Sequence, residues 1–171
     1  MNKPTSFDPG RAFAASDGRE ALHRGRDDLP FVELGDGSHL QLLQVDLGQG
    51  LWVVNVRFEP GCTIAKHYHT GPVFAVTASG SWHYLEYPDQ INSAGSYLYE
   101  PAGSVHTLTA PGAGDGPTTV WFAVFGANVN LDENDQVLSI TDAASVLGVY
   151  RGLCARAGLS SEGVIVVGAP Q

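Results

Sequence analysis

Residues 61–80 read GCTIAKHYHTGPVFAVTASG. Two histidines, His67 and His69, alternate around Tyr68, and side chains on a strand alternate faces, so both imidazoles point to one side, a single pleat apart. The run is bracketed by turn formers: EPG (59–61) before TIAKHYH, TGP (70–72) before VFAVTAS, and Gly80 at its close. The pattern is two short strands separated by a tight turn, with no period of 3.6 anywhere in it.

The same grammar extends outward. LQLLQVDL (40–47), LWVVNVRF (51–58), SWHYLEY (81–87), SYLYE (96–100), VHTLTA (105–110) and TTVWFAVFGA (118–127) are strand-length runs rich in Val, Tyr, Trp, Phe and Thr. They are closed by GQG, PAG and PGAGDGP. With TIAKHYH and VFAVTAS these make eight short strands, which predicts an all-β chain built as a closed antiparallel barrel or jelly roll. One helix stands out late. TDAASVLGVYRGLCARAG (141–158) opens on a Thr or Asp cap, repeats apolar residues at Val146, Leu147, Tyr150, Leu153 and Cys154, and ends at Gly158. Before it, VNLDENDQVLSI (129–140) reads as a hairpin turning at Asn134-Asp135. The expected organisation is a loosely ordered N-terminal arm (1–30), a barrel (31–130), and a C-terminal hairpin, helix and tail (131–171).

Composition sets outer limits. The chain of 171 residues carries 9 basic and 18 acidic side chains, a net charge of -9, which repels phosphate backbones and argues against a nucleic-acid partner. No apolar run is long enough to cross a membrane as a helix. The polar start, MNKPTSFDPGRAFAASDGRE, lacks the apolar segment of a secretory signal. Cys62 and Cys154 match no zinc or redox spacing, so a reduced cytoplasmic location is the default expectation. Cys62 is expected to be a small buried hydrophobe.

Paired imidazoles at i and i+2 suit a first-row divalent metal, and a third ligand should come from a neighbouring strand. GSYLYEPAGSVH (95–106) offers His106, placed by the Pro101-Ala102-Gly103 turn. A lone strand histidine is usually an ordinary surface or core residue. Three held in Gly/Pro frames are more than that. His23 and His39 lie in polar contexts and are expected to face solvent, while His83 follows Gly80 with its facing open.

Residues 61–80 resemble the first cupin motif, G-x5-H-x-H-x3-E-x6-G, at Gly61, His67, His69 and Gly80. Residues 95–106 resemble the second, G-x5-P-x-G-x2-H, at Gly95, Pro101, Gly103 and His106. The chain departs from the pattern at Val73, where the motif has its glutamate ligand, and at Ala110, where it has a closing asparagine. The resemblance implies a small antiparallel barrel with the metal inside. Within the cupins, HYHTGPVFAVTASGSWHYLEYPDQINSAGSYLYEPAGSVHTL (67–108), continued by VWFAVFGANVNLD (120–132), resembles 2,4'-dihydroxyacetophenone dioxygenase and its relatives. That likeness implies iron(II) held by three histidines, here His67, His69 and His106. It also implies cleavage between the carbonyl and hydroxymethyl carbons of an aryl α-hydroxyketone by dioxygen, giving a carboxylic acid and formate.

Three neutral ligands leave a divalent ion near its full charge, which suits an anionic bidentate oxygen ligand such as an enolate. On an octahedral ion three positions stay open, a pattern that fits iron(II) oxygenase chemistry. Zinc on three histidines can instead be hydrolytic or structural, so the ligands alone leave the metal open among iron, zinc, manganese and nickel. Glu100 sits six residues before His106. If it shares an inward face with Leu98 it lies at the pocket edge, to orient an imidazole or accept a substrate proton. Glu86 reads as a structural or rim residue. Phe74, Trp82, Tyr84 and Trp121 fill the barrel or line the pocket according to their facing. Other readings are a β-diketone-cleaving dioxygenase of the acetylacetone type, a non-catalytic metal-binding sensory cupin, and a zinc or manganese isomerase. A homodimer or homotetramer is expected, and the apolar VIVV (164–167) could add a strand to a neighbouring subunit.

Overall fold

The computed structural model describes residues 21–112 and 116–168. In chain order its strands are β1 (Val32–Glu33), β2 (Ser38–Asp46), β3 (Leu51–Phe58), β4 (His67–His69) and β5 (Val73–Ser79). Next come β6 (Ser81–Tyr84), β7 (Asn92–Ser93), β8 (Tyr97–Glu100), β9 (Val105–His106) and β10 (Leu108–Thr109). The chain continues through β11 (Thr118–Phe125), β12 (Asn128–Leu131), β13 (Val137–Thr141), helix α1 (Ala143–Ala157) and β14 (Ile165–Val167). The large sheet runs β1-β2-β3-β11-β5-β8, a four-stranded sheet runs β13-β12-β4-β9, and a three-stranded one runs β10-β6-β7. Every pairing is antiparallel except β14 on β2. This is the jelly-roll architecture the strand count predicts.

Alternation decides what fills it. On β3 Trp52, Val54 and Phe58 are buried, on β11 Val120 and Val124, and on β5 Val73, Ala75 and Thr77. Those residues face inward, and their neighbours in sequence form the outer face. The interior divides into two apolar groups. One lies under the helix around Leu42, Val45, Val54 and Tyr150, the other around Phe58, Ala75, Trp82, Tyr84 and Val120. Val56 and Phe122 pack against both.

Several elements differ from the sequence reading. TIAKHYH yields only the three-residue β4, and VHTLTA breaks into β9 and β10 at Thr107. The tail segment was read as able to add a strand to a second subunit. Instead Ile165–Val167 pair in parallel with Gln44–Asp46 of their own chain, because the helix turns the chain back over the same sheet edge. Residues 1–20 of the expected arm lie outside the described residues. Residues 21–30 are docked rather than loose: Gln41 Nε2 donates to the carbonyls of Arg26 (2.9 Å) and Leu29 (2.6 Å), and the Leu29 side chain is buried. The helix has the expected stops. Asp142 and Ser145 exchange capping hydrogen bonds of 2.8 and 2.7 Å, and Gly158 closes the C-terminus at φ 69°. Among the described residues no helix is long and apolar enough to cross a membrane.

Gly80 joins β5 to β6 at φ +74°, and a Cβ there would fall 2.8 Å from Thr118 Cα and closer still to its Oγ1. Thr118 cannot yield, since its hydroxyl donates to the Ser81 carbonyl at 2.9 Å and accepts from the Ser81 amide at 3.2 Å. Gly80→Ala therefore combines a left-handed alanine with a backbone overlap. We expect it to lower stability by about 2–4 kcal/mol in urea denaturation. A loss under about 0.5 kcal/mol would show that the turn tolerates a side chain.

Candidate metal centre

His67 and His69 project from β4 into the barrel, and His106 comes from β9 directly opposite His67. The Pro101–Gly103 turn that delivers β9 is fastened to β4, because the Gly103 amide donates to the His69 carbonyl at 2.8 Å. Glu86, on the loop after β6, accepts the Thr107 amide at 2.9 Å and holds the chain just past His106. All three rings are buried, and one ligand nitrogen from each lies within 4.8 Å of the other two. The His67 Nδ1–H donates to the Ala65 carbonyl at 2.7 Å. That bond fixes the tautomer and leaves Nε2 with its lone pair free, the usual second contact of a metal-bound imidazole. His106 Nε2 is buried without a hydrogen-bond partner.

Burial keeps these rings neutral. It is the largest influence on all three, pushing His69 down to about 3 and His106 down to about 4, with His67 also lowered. Each added proton would also face the neighbouring rings. Converging neutral imidazoles, two orphaned nitrogens (His69 Nδ1 and His106 Nε2) and one ring oriented by a carbonyl fit a first-row divalent ion.

The carboxylate missing at Val73 is present one strand away. Val73 on β5 pairs directly with Glu100 on β8, and directly opposed residues share a face. Glu100 is 4% exposed, whereas Tyr97 and Tyr99 on the same strand face outward. Its Oε2 lies 3.3 Å from His106 Nε2 and 3.5 Å from His69 Nε2, with no hydrogen-bond donor of its own. Oε1 accepts the phenol O–H of Tyr84, which stacks on His106 at 4.1 Å between centroids. Burial pushes the Glu100 carboxyl up to about 7, against the opposing pull of the Tyr84 hydrogen bond. Burial and the adjacent carboxylate together raise the Tyr84 phenol far above its ordinary value, so it stays a donor.

A cavity of about 400 Å³ opens from the centre. Trp52, Val54, Val56, Phe122 and Val124 give it an apolar wall. Of the four aromatics singled out in the sequence, Trp82 and Tyr84 are buried inside, Tyr84 in the cavity wall. Phe74 and Trp121 belong to the other strand face: their β5 and β11 neighbours Ala75 and Val120 are the buried ones. Trp52 and Phe122 take the lining role instead. His83 alternates away from Trp82 and Tyr84 and is absent from the cavity. His39 is half-buried beside Glu59 at 3.6 Å, not solvent-facing, because β2 sets it against β3. His23 is exposed, and Cys62 is buried. Sequence reasoning missed the Tyr84 contact to Glu100, and also Asn128 and Asn130. These two are the β12 partners of His69 and His67 and line the same cavity. The alternation in NVNL (128–131) was the available signal.

The sequence profile of the ChrR cupin-like domain matches residues 20–126. A protein of unknown function with a cupin-like fold from Ralstonia eutropha JMP134 is 35% identical, with a TM-score of 0.81 over 90% of this chain and 96% of its own. An acetylacetone dioxygenase from Acinetobacter johnsonii is 18% identical, with a TM-score of 0.67 over 90% of this chain and 97% of its own. A chain of the Rhodobacter sphaeroides complex of SigE with the anti-sigma ChrR is 17% identical, with a TM-score of 0.50 over 72% of this chain and 70% of its own. The last two likenesses are of fold alone. No match was found among curated proteins. The profile and the Ralstonia relative together place the chain: it belongs to the ChrR cupin-like domain family.

Proposed function

We propose that this protein is an iron(II)-dependent dioxygenase that cleaves the C–C bond of an enolisable ketone. The preferred substrate is an aryl α-hydroxyketone, converted with one dioxygen to an arenecarboxylic acid and formate. The observation that carries the reading is Glu100, a buried carboxyl set 3.3 and 3.5 Å from two imidazoles at the head of an apolar cavity. A carboxylate held there, away from bulk water, is placed to take a proton α to a carbonyl. His67, His69 and His106 would hold the ion, which when bound supplies Lewis acidity for the enolate and electrons for dioxygen. Glu100 accepts the α-proton at Oε2, while Tyr84 keeps donating to Oε1 and fixes the carboxyl plane. The Trp52–Phe122 wall receives the aryl group and excludes water from the developing enolate.

A second reading is a metal-binding module that senses a ligand without turning it over, prompted by the family's name-giving ChrR, which a solved complex describes as an anti-sigma. Oxygen-electrode measurements on iron-loaded protein with a panel of aryl hydroxyketones and β-diketones separate the two. The dioxygenase consumes one O2 per ketone and is silent under argon. Ligand binding with no uptake for any ketone supports the sensor.

Glu100 also predicts a metal-linked proton. A divalent ion at the histidines favours the anionic carboxylate, and His69 and His106 are already unprotonated at neutral pH. Metal uptake at pH 6.5 should therefore release roughly three-quarters of a proton from Glu100, falling to none near pH 8.5. Calorimetric titration in buffers of different ionisation enthalpy measures it. Release that is equal in wild type and Glu100→Gln would remove Glu100 as its source.

A further inference from the structure

We propose that the outer face of β3, β11, β5 and β8 is a self-association surface, on which a second copy of this chain packs sheet against sheet. The inference is independent of the chemistry proposed above, because it uses the side of the large sheet turned away from the metal centre.

The register builds the face. Asn55 pairs with Trp121, Trp121 with Val76 and Val76 with Tyr97. Alongside, Val53 pairs with Ala123, Ala123 with Phe74 and Phe74 with Tyr99. Directly opposed residues share a face, so two rows cross four strands, and Phe125 opposite Leu51 extends them at one end. Phe74 lies 5.6 Å from Tyr99 and 6.3 Å from Phe125 between ring centroids, which makes the aromatic part continuous. The outer face of an antiparallel sheet ordinarily carries polar residues. Here Asn55 is the only fully polar side chain in either row, and Tyr97, Tyr99 and Val76 are 64%, 54% and 40% exposed.

The chain covers this face at one side. Over β2, Gln41 donates to the carbonyls of Arg26 and Leu29, and Asn55 Nδ2 donates to Gln41 Oε1 at 2.7 Å. Gln41 is buried in consequence. That cover stops short of β5 and β8, where the exposed aromatics stand.

Charge selects the occupant. The chain carries a net charge of -9, so two copies approach most easily through a patch free of acids. In a two-fold contact a residue near the axis meets its own copy, and any charge there would oppose its like. Neither row contains an Asp, Glu, Lys or Arg. A basic partner would find no acid to pair with. Tyr, Trp and Phe are the residues enriched at the buried centre of protein interfaces. At about 200 Å² for a fully exposed aromatic side chain, the accessible parts of Tyr97 and Tyr99 give about 240 Å². With Val76 and the half-buried members the face offers roughly 600 Å², which its rim extends toward the roughly 800 Å² per partner of a standard interface. β8 is the last strand of its sheet, bonded to β5 alone, and Glu100 lies on its inner side, so the contact backs the strand that carries this carboxyl.

Sedimentation equilibrium of the full chain tests the proposal. Wild type should be a dimer with a dissociation constant below about 1 μM. Val76→Asp with Tyr97→Asp should raise that constant at least about a hundredfold while the variant stays folded. Ile140→Asp, 60% exposed on the four-stranded sheet, should leave the dimer intact. Should the double variant fold poorly, hydroxyl-radical footprinting of wild type gives the answer: Tyr97 and Tyr99 should gain reactivity as dilution dissociates the dimer. A wild type that is monomeric at about 100 μM overturns the inference. So does a dimer that survives in the folded double variant, a footprint at both tyrosines that is the same in dimer and monomer, or a dimer lost in Ile140→Asp and kept in the double variant.

Discussion

Replacing His106 with alanine is expected to reduce bound metal from about one equivalent to under a tenth, and oxygen consumption by at least about a hundredfold. The ring is 2% exposed and reaches the centre from a strand only two residues long. That strand is fixed by its pairing to β4 and by the Gly103 bond to the His69 carbonyl. Among the described residues the cluster has only three imidazole groups, and the neighbouring Glu100 carboxylate, 3.3 Å from His106 Nε2, is the one other group near enough to approach the vacated position. The substitution also leaves space beside Tyr84, which stacks on the ring. A stability loss of about 1–3 kcal/mol should accompany it, and melting of metal-free protein measures that part separately. Metal analysis showing a full equivalent in the folded variant would remove His106 from the centre.

Glu100→Gln should divide two effects that the histidine variant merges. Metal content should persist while kcat falls about 10²–10⁴-fold, the range of a lost general base. Metal-free stability should move the other way. The folded carboxyl is raised from 4.5 to about 7, so its favourable contribution is complete below pH 4.5 and is lost as pH rises through 7. Glutamine is neutral throughout. The variant should therefore match wild type near pH 4 and exceed it at pH 8 by roughly 1–3 kcal/mol in urea denaturation. The three histidines titrate in both proteins and largely cancel from the difference. An unchanged kcat would remove Glu100 from proton transfer, and equal stability at pH 8 would show that its carboxylate is not held at a cost.

The local grammar of the chain made the barrel legible before its geometry was known. Alternation in LWVVNVRF and TTVWFAVF places Trp52, Val54, Val120 and Val124 on one face, and the turns at Gly61, Gly80 and Gly103 limit where the strands can end. The grouping of His67, His69 and His106 follows from two motifs whose strands the fold sets opposite each other. Pairing between distant strands was not legible. Val73 read as a lost carboxylate because a sequence shows the residue and not its partner. Only the β5–β8 register shows Glu100 standing opposite, and only the β4–β12 register brings Asn128 and Asn130 beside the histidines. The facing of Phe74 and Trp121 stayed open for a related reason. Alternation gives two sets of residues, and long-range closure decides which set is inside. The tail strand went astray because an apolar run such as VIVV carries no record of whose edge it will pair with.

The central claim is that the centre uses dioxygen to cleave a ketone. It is tested most directly by running iron-loaded protein on an aryl hydroxyketone under 18O2 and weighing the products. The account predicts one labelled oxygen in the carboxylic acid and one in the formate, with no conversion under argon. Unlabelled products, or the same products formed without oxygen, would contradict it.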